Sequence, residues 1–241
     1  SSIFVDITSK SGLFTWIAIR LTKISRGDPL ILLIHYGVMT VVFSAVLNNV
    51  TAMIIVGSLS AVSLQRLARG NMLLGFLLVE GLLTNVGGLL TLISSVPNII
   101  VGSAAGISFV EFFVAASPYV VVATAVTIWI GTRTFAIERL ATDEDRETAR
   151  RLVAGFDERD GIESQWFFWF GAVMTVLFIA AIASVSVTPY LVDLGMGFVA
   201  LAFAAIMLVR YKATADRFYQ AVDWDLLAFF AGLFVVINVM E

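Results

Sequence analysis

Residues 29–65 form one apolar tract without an acidic residue, Lys or Arg. As a single helix the tract would be roughly 55 Å long at about 1.5 Å per residue, well beyond a hydrocarbon core of about 30 Å. Two full crossings would take about 40 residues plus a turn, more than the tract supplies. Its middle is polar: Ser44-Ala45-Val46-Leu47-Asn48-Asn49-Val50-Thr51. The pattern predicts a re-entrant helical hairpin with its tip at Asn48 and Asn49. A second interruption lies at residues 85–98, Asn-Val-Gly-Gly-Leu-Leu-Thr-Leu-Ile-Ser-Ser-Val-Pro-Asn, again inside an apolar segment. Gly87 and Gly88 favour unwinding. Pro97 lacks a backbone donor and disfavours helical dihedrals at Val96. Irregular backbone at membrane depth survives only where protein or a water-filled cavity receives its polar groups. Residues 85–98 are therefore expected to be the loop of a broken transmembrane helix.

The remaining pattern completes a threading. Residues 11–23 predict an amphipathic helix with Leu13, Trp16, Ile17 and Leu21 on one face, too polar to span and placed in the interface. Residues 25–29 form a turn in which Asp28 caps the helix that Pro29 opens. Residues 71–84 climb back in, carrying Glu80, and residues 99–103 finish that crossing beyond the break. Residues 106–111 turn, and 112–130 return as a full span. A charged segment, 133–163, is helical around 142–152. Spans follow at 165–185, 194–209 and 224–240, with a turn at 188–193.

Composition removes other classes. With 59% hydrophobic and 14% charged residues, the chain is not an ordinary soluble domain. Its runs are too long for barrel strands, so it is an all-α polytopic membrane protein. Cysteine is absent and there is one histidine, which excludes thiolate and His-cluster metal sites. A membrane-embedded enzyme lacks a catalytic set on the same grounds. The threading places all fifteen Lys and Arg residues on one side, while the opposite turns at 106–111 and 188–193 carry none. By the positive-inside rule the basic side is cytoplasmic. Ser1 is not an initiator methionine and the last span stops at Glu241, so the chain is expected to be an internal portion of a larger transporter.

Where a hairpin tip and a broken helix meet, helix ends, carbonyls, amides and hydroxyls suit an ion. The expected site comprises Ser44, Asn48, Asn49, Thr51, Asn85, Gly87, Gly88, Thr91, Ser95 and Asn98. The bland alternative is that such residues tie membrane helices together. Glu80 is the acid placed well inside a span, and such a carboxylate is a candidate for proton coupling. Its alternative is a structural hydrogen bond. Glu111 and Asp193 fall at the outer boundary, and His35 reads as packed or interfacial rather than as a shuttle.

Phe43-Ser44-Ala45-Val46-Leu47-Asn48-Asn49-Val50-Thr51-Ala52-Met53 resembles the hairpin signature of the ArsB/NhaD permeases, in the superfamily that also holds citrate, dicarboxylate and sulfate carriers. Asn85-Val86-Gly87-Gly88, Thr91-Leu92-Ile93, Pro97-Asn98-Ile99-Ile100-Val101-Gly102-Ser103 and Gly106-Ile107-Ser108-Phe109 resemble its second motif. Asp157-Glu158-Arg159, Val222-Asp223-Trp224 and Phe229-Phe230-Ala231-Gly232-Leu233-Phe234 are similar too. The resemblance implies two inverted repeats, each with a hairpin and a broken helix, and elevator-like alternating access. This chain matches the first repeat and the start of the second. It also implies that tip and loop coordinate Na⁺, with Asn49 and Gly88 as the candidates here. Asn48 and Ser95 stand where many antiporter relatives carry Asp, and Ser95 is closer to the dicarboxylate branch. Ser94, Val96 and Leu89 also depart from the usual Gly, Pro and Thr.

The expected organisation is a first-repeat transport portion (1–132), a cytoplasmic linker (133–164), and connecting spans with the start of the second repeat (165–241). The expected function is secondary active transport of a small ion, Na⁺- or H⁺-coupled, as ArsB/NhaD-like antiport or oxyanion or metalloid efflux. A Na⁺-coupled citrate or dicarboxylate carrier is the alternative, and a passive channel the less favoured one. The expected setting is a prokaryotic plasma membrane, with no cofactor besides a bound Na⁺. The partners are the lipid bilayer, a small ion or anionic substrate and the remainder of the transporter, with a homodimer left open and no nucleic acid.

Overall fold

The computed structural model describes residues 2–47, 49–159, 161–162, 164–185, 195–210, 228–229, 231–232 and 235. Every regular element among them is helical. In order these are α1 (Ser2–Lys10), α2 (Leu13–Ser25), α3 (Pro29–Val46), α4 (Asn49–Arg66), a 3-10 turn (Gly70–Met72) leading into α5 (Leu73–Gly88), α6 (Val96–Ala105), α7 (Phe109–Thr134), α8 (Asp143–Ala154), α9 (Gln165–Ser184) and α10 (Gly195–Arg210). Among the described residues, four segments are long and apolar enough to cross a membrane: Pro29–Val46, Gly70–Gly88, Phe109–Thr134 and Gln165–Ser184.

The tract 29–65 is a helical hairpin. Asp28 starts it: its Oδ1 accepts from the backbone N–H groups of Leu30 at 3.1 Å and Ile31 at 3.2 Å, with Pro29 opening the helix. Leu47 is extended, and α4 resumes at Asn49. At mid-arm the Tyr36 and Ser63 hydroxyls lie 2.7 Å apart, and at the tip Ser44 Oγ donates to Asn49 Oδ1 at 2.7 Å. At the open end a Cβ built on Gly27 would stand 2.9 Å from Leu67 Cδ2, so both ends of the hairpin emerge together. Each arm is about 27 Å long at about 1.5 Å per residue. Asn48 lies outside the described residues, as do the turn at 188–193 and most of the span expected at 224–240.

Against both arms packs α5, on the face Phe76, Val79, Glu80, Leu83, Thr84, Gly87 and Gly88. Gly87 sets the closeness of that contact: a Cβ there would meet the Val41 carbonyl oxygen at 2.5 Å. The broken-helix expectation is corrected here in its position. Asn85, Gly87 and Gly88 remain helical, the irregular stretch is 89–95, and α6 begins at Val96 with Pro97 second. Pro97 sits where its missing N–H has no intrahelical partner to lose. The turn at 106–111 is likewise shorter than expected. Ser108 caps α7, and Glu111 returns the bond from its first turn.

The remaining helices brace this core. Leu13, Trp16, Ile17 and Leu21 of α2 are only half-buried; its buried face is Phe14, Ala18, Thr22 and Ser25, set against α3 and α4. The hydroxyls escaped a hydrophobicity count because their donors are satisfied within the helix, Thr22 Oγ1 by the Ala18 carbonyl and Ser25 Oγ by that of Thr22. On the other side of α2, Phe4 of α1 stacks on Phe178 of α9 at 4.5 Å, and both meet Phe203 of α10 edge-on. The segment 135–159 closes over the open end of the hairpin. Leu140 donates its N–H to Asp28 Oδ2 at 3.3 Å, Arg66 covers the Phe156 ring at 4.5 Å, and Lys23 pairs with Glu158 at 3.4 Å. Within that segment α8 forms as expected, with Thr142 as its cap.

Candidate ion-binding site

The hairpin bend and the helix break come together at Gly88. The N-terminus of α4 stands beside the C-terminus of α5, because a Cβ on Gly88 would lie 2.8 Å from Asn49 Oδ1 and 3.2 Å from its Nδ2. Asn49 Nδ2 also donates to Asn85 Oδ1 at 3.3 Å, and Ser44 Oγ reaches the Thr84 carbonyl at 2.6 Å. Three helices thus contribute to one polar cup at the tip: Ser44 from α3, Asn49 from α4, and Thr84, Asn85 and Gly88 from α5.

The loop 89–95 folds under the end of α5. Helix C-termini leave carbonyls without intrahelical donors, and a buried one needs a side chain. Asn98 supplies it, its Nδ2 donating to the Gly88 carbonyl at 2.8 Å and to that of Thr91 at 2.9 Å. Ser94 Oγ is 2.6 Å and 2.8 Å from the same two oxygens. Thr91 Oγ1 ties the loop to the hairpin through the Ala45 carbonyl at 2.5 Å. The cup is therefore built from neutral oxygens and amides. Among the described residues no group of three or more His, Cys, Asp or Glu side chains could hold a metal ion.

Of the expected site residues, Ser44, Asn49, Asn85, Gly88, Thr91 and Asn98 meet in this cup. Gly87 is turned to the α3 backbone, so its role is packing rather than lining. Thr51 is half-buried in the first turn of α4, and Ser95 precedes α6 with its carbonyl accepting the Ile99 N–H. Sequence reasoning left Ser94 and the Thr84 and Ala45 carbonyls out of the site. Ser94 had the same signal as its neighbours; backbone acceptors have none in side-chain identity.

Glu80 lies one turn back along α5 from Thr84 and two turns from Gly88, and is fully buried. Ser60 Oγ of α4 donates to its Oε1, while Oε2 has no hydrogen-bond partner. Close by are Tyr36 and Ser63, also buried. Glu111 is exposed at the start of α7, and His35 is half-buried with Nδ1 unpartnered.

Apolar spans, a helical hairpin and a helix broken over polar residues together make a polytopic membrane protein of the transporter kind. The chain belongs to the citrate transporter family, whose profile matches residues 1–241. It is 31% identical over 239 residues to the "46 kDa membrane protein" of Mycobacterium leprae, a match covering 99% of this chain and 53% of that one. It is 30% identical over 239 residues to an "uncharacterized transporter" of Mycobacterium tuberculosis strain H37Rv and to one of Mycobacterium bovis, with the same coverage. The chain thus spans about half the length of the curated relatives it matches. No solved structure matches it.

Proposed function

We propose that this chain is one half of a secondary active transporter for a small ion, coupled to Na⁺ or H⁺, with the ion held where the hairpin tip meets the α5–α6 break. The observation that carries this reading is the convergence of Asn49, Asn85, Asn98 and the Gly88 and Thr91 carbonyls around one broken helix end. Polar backbone and amides gathered in a membrane bundle are the usual makings of a midplane ion site. Asn48, Thr51 and Ser95 belong to the proposed site as its neighbours in sequence. Asn49 and Asn85 offer side-chain oxygens to Na⁺. Gly88 offers room, because its carbonyl already accepts from both Ser94 and Asn98. Glu80 is the proposed proton carrier of this half.

The hairpin in this reading is re-entrant, with its open end and the basic residues around it on the cytoplasmic side of a prokaryotic plasma membrane. The other half of the transporter supplies an inverted counterpart, and the two alternate access by an elevator-like motion. The motifs support ArsB/NhaD-like antiport or oxyanion export as the substrate reading. A second reading, a Na⁺-coupled citrate or dicarboxylate carrier, is favoured by Ser95 in place of an acid and by the family whose profile matches.

The test is flux in proteoliposomes holding the full-length transporter, with Na⁺ alone on one arm and citrate or a dicarboxylate on the other. Saturable flux that follows an imposed Na⁺ or H⁺ gradient is expected. Flux that neither saturates nor couples to a gradient means a channel and overturns the proposal.

A further inference from the structure

Three helices place polar side chains on the interface they share. On α3 these are Tyr36, Thr40 and Ser44, spaced i, i+4 and i+8; on α4, Ser60 and Ser63; on α5, Glu80 and Thr84. All seven are buried. Such spacing puts each set on one helix face. The upper part, Ser44 and Thr84, belongs to the ion cup. The lower part is not used by it.

That lower part is a chain of hydroxyls. Tyr36 Oη stands 2.7 Å from Ser63 Oγ and 2.5 Å from Thr22 Oγ1 of α2. Thr22 Oγ1 gives its proton to the Ala18 carbonyl at 2.8 Å. With one proton per hydroxyl, Tyr36 must then donate to Thr22 and Ser63 to Tyr36. The donors run in one direction, from the hairpin towards α2. At the inner end Ser60, one turn from Ser63 on α4, donates to Glu80 Oε1. At the outer end Ser25, one turn beyond Thr22, donates to the Thr22 carbonyl and lines an open cavity of about 630 Å³ with Arg26, Asp28 and Arg139, so the hydroxyl chain ends one turn short of that cavity. Glu80 Oε2 is the buried oxygen of this column left without a partner. An unpaired charge there would be costly, whereas a proton on Oε2 neutralises the group.

We propose that Ser60, Ser63, Tyr36 and Thr22 form a proton path between Glu80 and the basic end of the bundle. It rests on the reading that Glu80 carries proton coupling, and adds the route by which its proton is exchanged. The O–H bond on Glu80 breaks and one forms on water in the cavity, or the reverse. Each hydroxyl between takes up one proton and releases its own, which reverses its hydrogen bond, and rotation about each C–O bond restores the starting orientation before the next passage. The steps from Ser60 to Ser63 and from Thr22 to the cavity at Ser25 are each three residues, about 4.5 Å of helix rise, and the path requires one bridging water molecule at each.

The charged and titratable groups around the column are few. From α3 the buried titratable residue is Tyr36, whose hydroxyl meets Thr22 and Ser63; His35 precedes it, turned by about 100° at 3.6 residues per turn. From α4 the facing residue is Ser60, and Arg66 stands at the helix end. From α7, Glu111 and Arg133 stand in the first and last turns. At the outer mouth, Arg26, Asp28, Arg139, Asp143, Arg146, Glu147 and Arg150 line the cavity.

The experiment uses the full-length transporter in vesicles. Infrared difference spectroscopy reads the protonated carboxyl of Glu80 as the acid carbonyl band that Glu80→Gln removes. After a pH jump on the basic side, the time course of that band is followed in wild type, Tyr36→Phe and the milder Ser63→Ala. Both variants should slow the band at least about tenfold, equivalent to about 1.4 kcal/mol on the barrier, with its final intensity and substrate binding retained. Wild-type kinetics in either folded variant overturns the path while leaving Glu80 as a proton carrier. Absence of a pH-sensitive band in wild type overturns the Glu80 reading and the path with it.

Discussion

Gly88 lies directly against the side-chain amide of Asn49, and no Cβ fits between them: one built there would stand 2.8 Å from Asn49 Oδ1. Its neighbour Gly87 is equally crowded, but by the backbone of Val41 at 2.5 and 2.7 Å. The two glycines therefore serve different ends, and adjacent substitutions should separate them.

Gly87→Ala pushes against a carbonyl oxygen and a Cα that cannot rotate away. It should part α3 from α5 and destabilise the protein by about 1–3 kcal/mol. Gly88→Ala displaces the end of a flexible side chain, so the fold should survive while Asn49 loses its position. Thermal unfolding in detergent, paired with the Na⁺ dependence of transport, distinguishes them. Equal loss of stability in both variants would contradict the assignment.

Asn98 and Ser94 cap the same two carbonyls unequally. Asn98 Nδ2 has two hydrogens and serves both oxygens, whereas Ser94 has one proton to share between them. Ser94→Ala should cost about 0.5–1.5 kcal/mol, and Asn98→Ala about 1–3 kcal/mol, because it strands a buried acceptor. The double variant should lose more than the sum of the two. An additive double-mutant cycle measured by unfolding would show that the caps act independently.

Single cysteines at Arg26 and Arg69 test the hairpin in the membrane. The chain has no cysteine of its own, and the ends of the hairpin meet at Gly27 and Leu67. Both positions should react with an impermeant thiol reagent from the same side. Labelling from opposite sides would mean that the two ends are separated by the bilayer, contrary to the re-entrant placement.

Glu80→Gln keeps the acceptor that Ser60 donates to and removes the ionisable oxygen. The folded protein should persist, and substrate binding with it, while transport across a pH series loses its pH dependence. An unchanged pH profile would reduce Glu80 to a structural hydrogen-bonding residue.

Much of this architecture was legible in local chemistry. Asp28 before Pro29, the charge-poor tract to Gln65 and the cap at Thr142 each act within a few residues, so the hairpin arms and α8 stand where the sequence puts them. The two polar interruptions marked the cup for the same reason, since buried polar groups in lipid must find partners. What those partners are depended on packing. The break moved to 89–95 because Gly87 and Gly88 are held helical by close contact with α3 and α4, a tertiary constraint that outweighs their local preference for unwinding. The buried face of α2 was missed because Thr22 and Ser25 satisfy their own donors and then bury like small apolar residues. Sequence alone singled out Glu80 as a costly carboxylate in a span. Only the approach of three helices could bring Ser60, Ser63, Tyr36 and Thr22 to it, because they come from segments far apart in the chain and meet through side-chain geometry that no spacing rule contains.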